Sequence, residues 1–353
     1  MIIYIFSYLL LSIFIALFKK AKLEKIIFLF AFIWLLFIIG LRYEIGPDWS
    51  AYLEYYERIY PYWESIFETD PGYGAINFIA GWLGGEIYLV NTLSAFIFLF
   101  GLFYFIKQLH YPSVALAIAN NYLVFVVAMS AVRQSIAIGL TFIAYVLFSK
   151  GKVKLSLIFS FLAVLFHKTA IFVTIIILFS FLLENRKHII RNKKILFTFM
   201  LIGSVTSVSY YIFFLPYYQW FIELYTIIIR QMDAVPARTI LNSIGGLLIL
   251  LGVVRLKFGK TLWQTMSIFS IISLLLTPLL TPNVVDRLNF YLYPLQMISF
   301  AHIITKIKGK AFKHLIYILI FSAYMFIFTM WLLFSRMREW WVPYKNIIFN
   351  LVW

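Results

Sequence analysis

The chain has 353 residues, 63% of them hydrophobic, 20% aromatic and only 12% charged, with a mean hydropathy of +0.94. A soluble domain carries roughly 25% charged residues and about 45–50% apolar ones. A soluble enzyme, a nucleic-acid binder and a disordered chain are therefore excluded, and a polytopic helical membrane protein is what remains. The net charge of +16 reports topology before it reports a polyanionic partner, and the absence of Cys removes disulfides, thiol nucleophiles and Cys-ligated metal.

A transmembrane helix takes about 20 apolar residues. Apolar runs fall at 2–18, 26–41, 87–106, 113–130, 131–149, 155–183, 195–215, 240–256, 261–280, 288–305 and 315–334. They predict an all-α transmembrane bundle of about 11–12 spans forming a single integral membrane domain over 1–353. The first run has no basic n-region and no small-residue cleavage site, so it reads as a retained helix. Continuous runs, not alternating ten-residue segments, argue against a β-barrel.

Polar loops are of two kinds. Loops 19–25, 150–154, 184–194, 255–260 and 306–313 are short and Lys-rich; 42–75, 216–239, 281–287 and 335–353 are poor in Lys. The positive-inside rule places the first kind in the cytoplasm. The alternation closes only if 155–183 is a hairpin of two short arms meeting at His167 and Lys168. Broken helices at membrane depth are tolerated where they are buried or line a cavity. Both termini then lie outside.

Eight of the ten basic residues left outside are Arg, against three of the twenty inside. Topology is served by either residue; a side that prefers Arg wants the planar fork that matches phosphate or carboxylate. Arg42 ends the second span, Arg133 sits at the turn between 113–130 and 131–149, and Arg287 opens the span at 288. These three are candidates for a shared anionic site, with interfacial anchoring or pairing with outer acids as the alternative. Arg336 and Arg338, beside Trp340 and Trp341, read as an interfacial belt.

The outer loop 42–86 begins with Gly46-Pro47, a turn, after which Asp48 can cap a helix over about 49–60. Tyr52, Tyr55 and Tyr56 share one face of it. Such a helix lies in the membrane interface, and its aromatic face suits sugar rings. Asp48 is a helix cap or a base. Asp70-Pro71-Gly72-Tyr73 forms a second turn, followed by an interfacial or re-entrant stretch at 74–86. His167 is the one outer histidine, a proton carrier or a satisfied core residue. No outer Asp-x-Asp and no His pair at helical spacing argues for a metal, no Gly-x-Gly or P-loop for a nucleotide, and no Gly-x-Ser-x-Gly for a serine hydrolase. No cofactor is indicated.

These short patterns, in this order, resemble the EpsG/Wzy type of bacterial polysaccharide polymerases. Arg42…Gly46-Pro-Asp48…Tyr52 is similar to their Arg…Gly-x-Asp…Tyr, and Asp70-Pro71-Gly72-Tyr73 to their acidic-Pro-Gly-aromatic turn. Arg133-Gln134 resembles their Arg-Gln pair, His167-Lys168-Thr169-Ala170 their His-Lys-Ser/Thr-Ala, and Asp286-Arg287 with Tyr291 their late Arg…Tyr. The resemblance implies transfer of a growing glycan from undecaprenyl diphosphate onto the non-reducing end of the next lipid-linked repeat unit. That reaction belongs to O-antigen, capsule or exopolysaccharide synthesis at the periplasmic face of the inner membrane. A GT-C-like glycosyltransferase architecture is compatible with it. Arg42, Arg133, Arg287 and Lys168 would hold the diphosphate. Tyr52, Tyr55, Tyr73 and Tyr291 would hold sugars, and Asp48 or His167 would take the acceptor proton, with Glu44 and Asp286 as lesser candidates. A chain-length regulator and a flippase are possible partners. A lipid-linked oligosaccharide flippase or transporter, an O-antigen ligase and a membrane O-acyltransferase are the other readings.

Overall fold

The computed structural model describes residues 1–17, 21–186, 235–256, 259–277, 282–348 and 351–352. The expected span at 195–215, most of the loops 184–194 and 216–239, and Arg230 lie outside the described residues. Within them the architecture is helical, as the apolar runs require, apart from one two-residue strand pair. They form two compact units, residues 1–174 with 296–353, and residues 175–295.

Unit 1 opens with α1 (Ile2–Leu17) and α2 (Ala21–Gly40). Next come two short helices, α3 (Trp49–Ile59) and α4 (Pro71–Trp82), with a 3-10 turn, Trp63–Glu68, between them. α5 (Glu86–Ile106) and α6 (Pro112–Ala119) follow. α6 runs into a π-helical segment, Asn120–Val127, and a last turn, α7 (Ala128–Ser130). α8 (Val132–Ser149) and α9 (Val153–Phe166) complete this part of the chain. Among the described residues four helices are long and apolar enough to cross a membrane: Glu86–Ile106, Pro112–Ser130, Val132–Ser149 and Lys310–Phe334. α8 is the buried centre. Its Gly139 meets α5 so closely that a Cβ there would come 2.6 Å from the Cα of Phe98, and Gly101 on α5 faces Gly139 in return. Small residues that let backbones touch are how membrane helices gain packing energy without a hydrophobic drive between them. The helix at Lys310–Phe334 does the opposite and exposes Ile318, Leu319 and Phe326, a face for lipid.

The run 155–183 is two fourteen-residue helices, α9 and α10 (Ile171–Glu184), joined through a 3-10 turn at Lys168–Ala170. The break is at His167, whose backbone is extended (φ −160°, ψ 118°). At 1.5 Å per residue each arm is about 21 Å long, short of a roughly 30 Å hydrocarbon core.

Beyond α10 the described chain resumes with α11 (Val235–Leu250), α12 (Lys260–Leu276) and α13 (Pro282–Leu292), all in unit 2; α14 (Pro294–Lys306) and α15 (Lys310–Phe334) lead back into unit 1. The span expected at 288–305 starts six residues earlier and is interrupted at Tyr293. Proline explains both changes: Pro282 suits the first helical position, and Pro294 has no N–H to continue a helix. Arg287 is therefore inside α13 and not at a helix mouth.

Two details of the loops also change, the turn at Asp70 and the place of Trp341. Asp70-Pro71, expected as a turn, opens α4, with Pro71 at its first position; the stretch expected to be interfacial or re-entrant at 74–86 is the rest of that helix, to Trp82, and the short link to α5. In the segment after α15, Trp341 is a core residue and not part of an exposed aromatic belt, while Arg336, Arg338 and Trp340 are exposed. Trp341 is 2% exposed, its indole N–H donates to the carbonyl of Phe125 in the π-helical segment (2.8 Å), and its own carbonyl accepts from the Tyr4 hydroxyl (3.0 Å). Trp340 alone of that pair stays exposed. Burial of an indole is favourable once its N–H has an acceptor, and a carbonyl of the π-helical segment supplies it.

Candidate functional site

Arg42 follows the last turn of α2. Nη1 donates to the carbonyl of Ile39 (2.7 Å) and Nη2 to Oδ1 of Asn91 on α5 (3.0 Å). The first contact caps the carbonyl end of a helix, where a cation is favoured. The side chain is 1% exposed, and its guanidinium lies 5.8 Å from the ring centre of Trp49 at the start of α3. Around it stand the phenols of Tyr52, Tyr73 and Tyr344. No carboxylate pairs with it among the described residues, and Nε has no hydrogen-bond partner. Burial pulls the guanidinium down to about 10, so it stays a cation at neutral pH. A buried cation without a counter-ion is costly.

The segment after α15 closes over this residue. Asn346 bridges Arg42 in antiparallel register; the Tyr43 N–H donates to the carbonyl of Lys345 (3.1 Å) and the Ile347 N–H to that of Leu41 (3.1 Å). Tyr344 donates its hydroxyl to the carbonyl of Ile38 (2.8 Å) and accepts from Asn346 (3.0 Å). Lys345 pairs with Glu44 at 2.6 Å. Gly46 makes the turn beneath: its φ is +94°, its N–H donates to the carbonyl of Trp340 (2.9 Å), and a Cβ would sit 2.6 Å from the carbonyl oxygen of Met129. Glycine is the residue that fits such a place.

Arg133, in the first turn of α8, anchors a second cluster. Nη1 donates to Oδ2 of Asp70 (2.9 Å) and to the Thr69 hydroxyl (3.0 Å), the guanidinium sits 5.4 Å from the ring centre of Tyr55, and Tyr52 hydrogen-bonds with it. Pairing with an acid is thus what Arg133 does in this state. Tyr52 and Tyr73 pack edge to face at 5.5 Å, and both stand within electrostatic reach of Arg42 and of Arg133. Burial raises both phenols, so they are neutral donors at physiological pH. Tyr55 is half-buried and also faces Arg58.

Asp48 immediately precedes α3, where a cap belongs, yet its side chain makes no capping bond; its carboxylate is exposed and accepts a hydrogen bond from Ser130 at 3.3 Å. It also lies close enough to Tyr52 to raise that phenol. His167 is 7% exposed, with Nδ1 2.6 Å from the Thr169 hydroxyl, while Lys168 is exposed. Gly72 lets α4 approach the end of α9, where a Cβ would touch the Phe166 ring at 2.9 Å.

In unit 2, Tyr291 is fully buried and Arg287 partly so, both on α13. Asp286 is held by Arg238 of α11 in a two-pronged pair, Nε to Oδ1 and Nη2 to Oδ2, each 2.7 Å. Asn242 and Asn289 extend this contact through the helix interface. Unit 1 therefore gathers Arg42, Asp48, Tyr52, Tyr55, Tyr73 and Arg133, with His167 in the same unit, and Arg287 and Tyr291 belong to the other. Glu44 and Asp286 are committed to ion pairs. Among the described residues no three His, Asp or Glu are grouped to hold a metal. Asn91, Tyr344 and Asn346 were not singled out from the sequence. A polar residue inside an apolar run was the available signal for Asn91.

A chain of apolar helices, with arginines and tyrosines gathered around two short helices between its longer ones, is an integral membrane protein. The model of the EpsG family matches residues 25–346, and the chain belongs to that family. Membership implies a polysaccharide-polymerase role of glycosyltransferase type. No curated protein and no solved structure matches the chain.

Proposed function

We propose that this protein polymerises undecaprenyl-diphosphate-linked oligosaccharide repeat units at the periplasmic face of the bacterial inner membrane, with both termini periplasmic. The observation that carries the reading is Arg42, a buried cation with an unused donor and no carboxylate, set beside two neutral tyrosines that also face Arg133. A diphosphate supplies the missing charge, and the tyrosines supply sugar-facing surface and hydroxyl donors.

The acceptor hydroxyl of one repeat unit attacks the anomeric carbon of the chain on its carrier. The new glycosidic bond forms as the bond from that carbon to the diphosphate oxygen breaks. The electron pair leaves with the diphosphate, whose charge the arginines stabilise, so no metal is needed. Asp48 takes the hydroxyl proton: it is exposed, beside Tyr52, and not engaged as a cap. A single displacement inverts the anomeric centre. Lys168, in the same unit, adds a substrate contact in this reading, Arg287 and Tyr291 are the corresponding candidates of unit 2 taken by itself, and a chain-length regulator and a flippase are candidate partners.

The test is direct. Purified protein in lipid nanodiscs, given lipid-linked repeat units, should lengthen the glycan and release undecaprenyl diphosphate. Failure to lengthen any unit from the operon's own pathway overturns the reading.

A further inference from the structure

The Nε and Nη2 hydrogens of an arginine lie on one edge, as parallel prongs matched to two oxygens of a phosphate or carboxylate. On Arg42, Nη2 donates to Oδ1 of Asn91 (3.0 Å) and Nε donates to nothing. An amide has one oxygen and cannot fill both. Asn91 is itself 1% exposed, and its Nδ2 has no partner either. Two neighbouring buried donors, one of them on a cation, are thus left over on two side chains that are already bonded to each other. Burying donors without acceptors is costly, so the pair is arranged for an acceptor from outside the chain.

The geometry points to Asn91 as a ligand-contacting and positioning residue of the diphosphate site. Its Oδ1 fixes the Arg42 guanidinium, and its Nδ2 donates, together with Arg42 Nε, to the same anionic phosphoryl oxygen. This rests on the proposed function for the identity of the anion. The assignment explains why a neutral amide stands here. An Asp at 91 would fill both prongs and neutralise Arg42, leaving a well-satisfied ion pair with nothing to offer a phosphate.

Asn91→Asp separates a structural role from a binding one, because the two roles pull in opposite directions. Equilibrium binding of undecaprenyl diphosphate to the purified full chain in nanodiscs is measured beside thermal unfolding, with inorganic pyrophosphate and undecaprenol as competitors. For Asn91→Asp we expect unfolding at or above the parental temperature and affinity for the diphosphate lipid at least ten-fold weaker. Asn91→Ala, which removes both polar ends, should also bind at least ten-fold more weakly, and it serves if the Asp variant does not fold. Competition by pyrophosphate but not by undecaprenol would place recognition on the phosphates, as the two donors require; the reverse would overturn the assignment. If the parent binds and either variant binds equally well, Asn91 is structural and this inference falls while the proposed function stands. If the parent itself does not bind the lipid, both fall.

Discussion

Arg133 donates to the carboxylate of Asp70 at 2.9 Å, and so ties the first turn of α8 to the residue that opens α4. The same guanidinium reaches the Thr69 hydroxyl and lies over Tyr55. A lysine keeps the charge but not the fork, and it cannot serve three partners on one plane. Arg133→Lys should abolish most polymer in a deletion strain complemented with the variant, read as a gel ladder, whereas Arg338→Lys should leave the ladder full. Asp70→Ala should cost about 1–3 kcal/mol of stability by removing the acceptor of a charge-assisted hydrogen bond. Thermal unfolding of the purified variant checks that.

Asp48 offers a cleaner test than a capping residue would. Because its side chain makes no cap bond, Asp48→Ala should change stability by no more than about 0.5 kcal/mol, a typical cost for a surface position. If it is the base, Asp48→Asn and Asp48→Ala should both lose orders of magnitude in rate at normal expression. Parental rates from purified Asp48→Asn would remove it from the chemistry and leave His167, tested in the same way as His167→Gln.

The Lys345–Glu44 pair predicts a pH dependence. The lysine, first through its hydrogen bond, holds the Glu44 carboxyl below its usual range. A carboxyl depressed in the folded state contributes stability that is present above its unfolded pKa and is lost as pH falls through the folded one. Glu44→Gln should therefore be slightly less stable than the parent at neutral pH, by less than about 1 kcal/mol for so exposed a pair. The two melting curves should converge below about pH 4. A gap that persists in acid would mean that the side chain acts otherwise.

Arg238 and Asp286 make the opposite kind of pair, buried and two-pronged. Removing one partner leaves an uncompensated charge, at a cost of about 3–5 kcal/mol, whereas replacing both with apolar residues of similar volume is often neutral. Asp286→Asn should be strongly destabilised and the double variant Arg238→Met with Asp286→Leu much less so. Both are measurable by thermal unfolding.

Much of this was legible in the sequence because helices that must satisfy their own backbone in lipid announce themselves as apolar runs. The run at 87–106 and the one at 131–149 match α5 and α8 to within a residue. The break at His167 was legible too, since twenty-nine residues between two Lys-rich loops cannot make two full crossings. The closing segment after α15 was not. Its two tryptophans fit an interfacial belt as well as a core, and only the carbonyl of Phe125, 216 positions earlier, decides between them. Asn91 was passed over as one polar residue in an apolar run, and its partner Arg42 lies 49 positions away. What local patterns encode was read; what depends on distant pairing was not.

Lys345 meets Glu44 across 301 positions of chain. At bacterial synthesis rates of about 5–20 residues per second, the ribosome takes roughly 15–60 s to travel between them. For that interval Arg42 is inserted but uncovered, with its flanking carbonyls and N–H groups unmatched. This corner of the protein is thus the last part of unit 1 to mature, and any chain stalled before residue 346 leaves it open. The covering of Arg42 therefore waits on the translation of residues 340–347, however early its own helix has entered the membrane.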